Sequence, residues 1–326
     1  MRANSLVILA ALAAFGVIGS NLVANAADPY PSRTVRIVVP YAAGGPTDTI
    51  ARILAAPLQE LLGQPVIIEN KPGANTNIGT GYVAKSEADG YTLLMTSTTF
   101  TINPSIYKSS PYDAVKDFEP LKAVASSPNV FVASKASGLK SLSDVIAREK
   151  EKPGSLNYGT AGIGTPTHLA AELLNVRAGT NIVHVPFSGG APAMQAVLGG
   201  QIELGSLALP NVQGNIEAGM LVPIAITSER RWPSLPNVLT MIELGYPGFV
   251  SETTILFLSP KNTPADVLTK LTTAMDKILE RKAVQDSVSA QGFMIQAGGP
   301  DVLRARISKE LGEYKDIAIK AKISMF

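Results

Sequence analysis

Four short glycine-bearing stretches are the part of this sequence best suited to hold a small molecule: Ala42 to Thr47, Gly73 to Thr80, Gly159 to Thr165 and Ser188 to Pro192. Glycine lets a backbone turn sharply and come close to a ligand. Where such a loop opens a helix, unpaired N–H groups and the helix dipole suit it to a carboxylate or a phosphate. One such loop is better read as a plain tight turn, whereas four along one chain, two in each lobe, shift the balance toward a shared cleft. Val39-Pro40-Tyr41-Ala42-Ala43-Gly44-Gly45-Pro46 is echoed by Val185-Pro186-Phe187-Ser188-Gly189-Gly190-Ala191-Pro192. Each reads as strand, proline, aromatic residue, glycine pair, then a helix with proline in its first turn, where the missing N–H needs no partner.

Other chemistries are poorly served. The glycines of Gly159-Thr160-Ala161-Gly162-Ile163-Gly164 run G-x-x-G-x-G, the reverse of the dinucleotide order, and no Gly-Lys-Ser/Thr follows any loop. The two histidines, His168 and His184, have no cysteine partner and no metal-ligand spacing, and no G-x-S-x-G occurs. His184 lies inside an apolar strand and reads as structural. His168 opens the helix after a glycine loop, where it either shapes a site or packs. Asp48 stands in a first helical turn, four residues before Arg52. It reads either as a dipole and ion-pair residue or as the group that orders the glycine loop or a bound water.

The elements that must position these loops are legible in the pattern. Val35 to Val39, Pro65 to Asn70 and Tyr91 to Met95 read as strands, with helices at Thr47 to Leu62 and Ile78 to Lys85 between them. Strands follow at Asn129 to Ala133, Leu156 to Gly159, Ile182 to Val185, Ile202 to Leu204, Val222 to Ile226 and Thr254 to Leu258. Helices are expected at Leu142 to Glu151, Pro166 to Leu174 and Ala191 to Leu198, then Ala265 to Glu280 and Pro300 to about Lys320. Alternation of this kind predicts α/β architecture built from parallel βαβ units. Two lobes with crossovers near Ser127 and Ser251 accommodate it: residues 27–127 plus 252–326 as lobe I, and 128–251 as lobe II.

Composition narrows the class. The chain has 326 residues, 46% hydrophobic and 17% charged, with a formal net charge of +2 and no dense basic run, which argues against a nucleic-acid partner. Arg2, the apolar stretch Leu6 to Ile18 and Ala24-Asn25-Ala26 together read as a secretory signal peptide, residues 1–26, cleaved near Ala26. The stretch is too short for a spanning helix, which needs ~20 apolar residues. Without cysteine there is neither a disulfide nor a lipid-modified N-terminal cysteine, so a large core must supply the stability.

These residues together resemble the substrate-binding proteins of tripartite tricarboxylate transporters, the Bug-type periplasmic receptors. The resemblance runs from Tyr30-Pro31-Ser32-Arg33 through Val39 to Arg52, Glu69-Asn70-Lys71-Pro72-Gly73-Ala74, Asp89-Gly90-Tyr91-Thr92-Leu93-Leu94 and Gly162 to Leu173. It continues through Val185-Pro186-Phe187, Gly199-Gly200-Gln201, Leu235-Pro236-Asn237-Val238 and Gly245-Tyr246-Pro247-Gly248. It implies a two-lobed binding-protein fold, type II-like, that closes on its ligand as a Venus flytrap in the periplasm. It further implies that the loops at Ala43-Gly44-Gly45 and at Thr160, Ala161, Gly162, Gly164 and Thr165 hold one ligand carboxylate, through backbone N–H groups and ordered waters. No arginine stands in these loops, so neutral donors carry the anion. Tyr41, Asp48, Ser97, Thr98, His168, Phe187, Ser188 and Gly189 complete the expected surroundings. Three places depart from the family pattern. Asn75-Thr76-Asn77 stands where paired glycines are common, so that Asn75 and Thr76 offer hydrogen bonds to a second carboxylate. Leu207 stands where many relatives carry an aspartate, which disfavours an amino acid. Thr253-Thr254 stands where an aromatic residue is common, which widens the pocket.

The expectation is a monomeric solute receptor for a mono- or dicarboxylate, aromatic acids included, with no cofactor and no metal, delivering its ligand to membrane permease subunits. Two alternatives are a secreted α/β enzyme using Asp48 or His168 as acid or base, and a ligand-sensing partner of a membrane signalling protein.

Overall fold

The computed structural model describes residues 29–323, so the signal peptide lies outside the described residues. The β-branched run β1 (Val35–Val39) forms a strand. Helix α1 (Pro46–Leu62) follows, its buried Ile50, Leu54, Leu58 and Leu62 recurring every four residues along one face. Then come β2 (Val66–Asn70), α2 (Asn77–Ala84), β3 (Thr92–Ser97) and α3 (Thr99–Ile106). Both β2 and β3 run parallel to β1, one on each side.

The next strand, β4 (Phe118–Ser134), is 17 residues long and serves two sheets. Beyond it lie α4 (Leu142–Glu151), β5 (Asn157–Thr160), α5 (Pro166–Ala178), β6 (Val183–Pro186), α6 (Gly190–Leu198), β7 (Leu204–Ala208), α7 (Leu209–Glu217) and β8 (Leu221–Ile226). Strand β9 (Glu252–Pro260) returns to the first sheet, followed by α8 (Ala265–Leu279), α9 (Lys282–Ala290), β10 (Met294–Ile295) and α10 (Pro300–Lys320). From Phe118 to Pro128, β4 pairs antiparallel with β9; from Asn129 onward it pairs with β7 and β8. The strand order is β2-β1-β3-β9-β4-β7-β5-β6. Parallel βαβ units therefore form both outer wings, joined by an antiparallel spine that the expectation of parallel units does not contain.

Each half has its own core. Ile37, Leu54, Leu93, Phe257, Leu271 and Met275 bury together in the first, so α8 packs back onto the sheet that begins the chain. Phe131, Leu142, Tyr158, Leu174 and Phe249 bury together in the second. Fully burying each such side chain is worth ~1.5–3 kcal/mol. A smaller cluster spans the halves: Ile102 and Ile106 of α3 and Tyr314 and Ala318 of α10 meet Leu169 of α5.

The differences from the sequence reading have local causes. Only the second half of β4 was expected, because Pro120 and Pro128 interrupt the first. They are tolerated in an antiparallel strand whose pairing to β9 shifts register between Pro120 and Lys122 and again between Ala123 and Ala125. Strand β7 begins at Leu204 rather than Ile202. Helices α3, α7 and α9 were not expected. The first is threonine-rich with Pro104 inside, and it is helical while burying Phe100, Ile102 and Ile106.

Candidate functional site

The loop after β1 is fixed by one buried carboxylate. Asp48, only 1% exposed, reaches back from the first turn of α1. Its Oδ2 accepts from the Gly44 N–H at 2.8 Å and from Arg52 Nε at 2.9 Å, and its Oδ1 from Asn70 Nδ2 at 2.9 Å. Asn70 also donates to the Tyr41 carbonyl at 3.1 Å and accepts from Arg52 at 3.1 Å. Burial pushes the Asp48 carboxyl up, but these donors outweigh it and hold it below the usual carboxylate range. Both sequence readings of Asp48 therefore hold at once: it is the ion-pair partner of Arg52 and it orders the glycine loop. Tyr41 turns its hydroxyl to Ser97 Oγ at 2.6 Å, which joins the ends of β1 and β3.

The loop after β5 rests on a stack of rings. His168 and His184 lie face to face with centroids 3.9 Å apart, and His184 stacks on Tyr158 at 5.0 Å. The Gly164 N–H donates to His168 Nδ1 at 3.2 Å, which places the His168 proton on Nε2. Thr160 Oγ1 lies 2.7 Å from His184 Nε2 and accepts from the Gly162 N–H at 3.2 Å. Thr165 caps α5 by accepting from the His168 N–H, and its own hydroxyl donates to the Gly162 carbonyl at 2.8 Å. Burial, reinforced by the neighbouring His184, lowers His168 to about 3, and burial lowers His184 to about 4. Both rings are neutral at ordinary pH. Beneath them the Tyr158 hydroxyl donates to Glu172 at 2.5 Å, and burial together with that carboxylate pushes the phenol far up.

The two halves meet at this loop. A Cβ placed on Gly164, whose φ is 74°, would stand 2.2 Å from Ile106 Cδ1 and 3.1 Å from Asn75 Nδ2, so a side chain here would have to displace the tip of Ile106 where α3 and the second glycine loop come close. Gly189 sits at φ 144°, ψ 168° and Gly162 at φ 135°, conformations that side chains disfavour. Neither α1 nor α6 has a side-chain cap, in keeping with the echo seen in the sequence.

The expected residues separate into groups. Ala43, Gly44, Gly45 and Ser188 sit in loops at helix starts, and Asn75 and Gly164 touch across the halves. The N–H groups of Gly44, Gly162 and Gly164 are not free as expected, since Asp48, Thr160 and His168 take them. Those of Ala43, Ala161 and Ile163 make no hydrogen bond among the described residues. Thr76 is buried against Asn103. Phe187 leans on β5 over Gly159 and joins the apolar cluster below. Two residues are not brought to the loops. Thr98 is fully buried, donating to the Glu252 carbonyl and accepting from the Thr254 N–H. Leu207, also fully buried, belongs to the core with Val130, Val197 and Val212. Asn103 and Asn211 escaped the sequence reading because α3 and α7, which carry them, did; Asn211 lies against Gly190. Proline at the second position of α7 was the signal that could have revealed that helix.

A groove of about 690 Å³ lies elsewhere, between α10 and the segment 228–233, with Ser126, Trp232, Glu252 and Arg306 among its walls. None of the glycine-loop residues lines it, and its walls mix both signs of charge. The glycine loops carry neutral backbone donors at helix starts, with no lysine or arginine among them. Neither Asp48, ion-paired, nor His168, whose Nδ1 holds a backbone N–H, stands ready as an acid or base.

Residues 50–321 match the family described as "Tripartite tricarboxylate transporter family receptor". The chain is 37% identical over 293 residues to Protein BugT of Bordetella pertussis, covering 89% of this chain and 90% of that one. Among solved structures, a Rhodopseudomonas palustris protein with adipate superposes with TM-score 0.82 at 32% identity, over 90% of this chain and 99% of that one. The periplasmic binding protein BugD gives 0.79 at 33% identity, with the same coverage. MatC from R. palustris with bound malate gives 0.78 at 30% identity, over 88% and 99%.

Proposed function

Because the chain belongs to the tripartite tricarboxylate transporter receptor family, we propose that it captures a small mono- or dicarboxylate between two lobes in the periplasm and hands it to the permease subunits of such a transporter. The lobes are residues 27–127 with 252–326, and 128–251, divided where β4 changes partners. The acid sits between Ala43 to Gly45 and Ala161 to Thr165, held by backbone N–H groups and bridging waters. Asp48 and His168 shape these loops without touching the acid. The observation that carries this reading is the meeting of two glycine loops from different halves, at Asn75 and Gly164, with no cation in either loop. The relatives with adipate and malate support a dicarboxylate.

Native mass spectrometry of the protein taken from the periplasm, followed by denaturing release, tests this. The expected result is a small acid retained one per chain and recovered unchanged. Empty protein would go to a thermal-shift panel led by adipate and malate, and failure of every carboxylate to raise the melting temperature would refute the receptor reading. Recovery of a chemically altered acid would favour the enzyme reading instead.

A further inference from the structure

We infer that Asn103, on α3, is a positioning residue that holds the 74–76 turn in its left-handed shape and so sets both the donors of the second glycine loop and its contact with the opposite lobe. Its bearing on the acid rests on the receptor reading above.

Ala74, Asn75 and Thr76 have φ of 46°, 49° and 75°. Three successive residues with side chains in this region are disfavoured, because each Cβ crowds the following carbonyl. Within the turn, the Asn77 N–H bonds to the Ala74 carbonyl at 3.1 Å and the Ile78 N–H to the Gly73 carbonyl at 3.4 Å. The remaining hold comes from Asn103, whose side chain is fully buried beneath the turn. Its Nδ2 donates to the Asn75 carbonyl at 2.6 Å and Asn77 Oδ1 at 2.9 Å, with Thr76 Oγ1 at 3.3 Å. Its Oδ1 accepts from Asn75 Nδ2 at 2.9 Å. Both ends of one amide are thus committed to three consecutive residues.

The consequences reach the site. With the turn so held, the N–H groups of Asn75 and Thr76 make no hydrogen bond among the described residues and remain for a ligand. The Asn75 amide is fixed where it meets Gly164 of the opposite lobe, and Ile106, three residues beyond Asn103, touches the same glycine. One helix therefore sets the second loop and the surface against which the other lobe closes.

The test is amide hydrogen exchange on the acid-free full chain, comparing wild type with Asn103→Ala and with Asn103→Ala/Thr76→Gly. In the single variant the Asn77 and Ile78 amides should exchange about tenfold faster, because the turn that presents the Ala74 and Gly73 carbonyls to them loses hydrogen bonds each worth roughly a factor of five to ten. The amides of α8 should be unchanged. The double variant should recover part of the protection at Asn77 and Ile78, since glycine takes positive φ freely. Adipate titrated by calorimetry should bind the single variant more weakly, with partial recovery in the double. Unchanged exchange at Asn77 and Ile78, a uniform increase across the chain, or no recovery with glycine would each overturn the inference. A wild type that binds no carboxylate would sink the receptor reading alone, because the exchange result is read without ligand.

Discussion

Acidification from pH 8 to pH 5 should weaken the fold through the stacked histidines beneath the third glycine loop. In the folded protein His168 titrates at about 3, lowered from 6.5 first by burial and then by His184. In the unfolded chain it returns to the ordinary value, so between these two values the unfolded state binds the proton and the folded state does not. Stability is therefore complete above about pH 6.5 and falls with pH below it. At pH 5 the His168 contribution is a loss of about 2 kcal/mol, and it continues to grow toward pH 3. His184, lowered to about 4 by burial, adds to it with the same sign and, at pH 5, by a comparable amount. Carboxylates with lowered values, such as Asp48 and Glu119, lose their contribution only as the pH falls below about 4.5, outside this window.

Thermal unfolding followed by circular dichroism at pH 8, 6.5 and 5, on protein stripped of acid by denaturation and refolding, measures the effect. The melting temperature should fall by about 4–8 °C between pH 8 and 5. His168→Gln, which cannot be charged, should remove about half of that fall, His184 supplying the rest. A wild-type melting temperature that is level from pH 8 to pH 5, or a His168→Gln protein that falls as steeply, would refute the account of a neutral, proton-resistant stack.

Three further outcomes follow from the same geometry. Gly162→Val and Gly189→Val each force a side chain into positive φ, at about 1–3 kcal/mol; the fold should survive by circular dichroism while carboxylate binding is lost in calorimetry. Gly164→Ala should hold the lobes apart, because its methyl would stand 2.2 Å from Ile106 Cδ1. Small-angle scattering with saturating acid should then show no compaction, and Gly164→Ala/Ile106→Ala should regain it; an uncoupled pair would contradict the contact. Asp48→Ala leaves Arg52, Asn70 and the Gly44 N–H without their acceptor, so urea unfolding should report a loss of about 1–3 kcal/mol and the acid should bind more weakly. An Asp48→Ala protein as stable as wild type would show that the loop holds its own shape.

What the sequence could and could not reveal divides along one physical line. The glycine loops, α1 and the parallel strands are written in local chemistry: a β-branched run, a glycine pair, a first-turn proline and apolar residues at helical spacing. The echo between Val39–Pro46 and Val185–Pro192 therefore survives as two uncapped helix starts with glycine at each cap. The hidden features depend on partners far along the chain. Helix α3 forms from a threonine-rich segment that packs against α10, some two hundred residues away, and Thr101 meets Glu310 at 2.8 Å. The first half of β4 is a strand because β9 lies beside it. The same distinction explains the site residues. Asp48 was legible because its partner Arg52 is one turn away. Thr98 and Leu207 were misplaced because their surroundings, the start of β9 and the core under α6 and α7, are assembled only in the fold. His168 and His184, sixteen residues apart, become a single stacked pair only when β5 and β6 align Tyr158 with His184. Local signals thus mark where glycine loops open helices, and long-range contacts decide which of their backbone donors stay unpaired among the described residues.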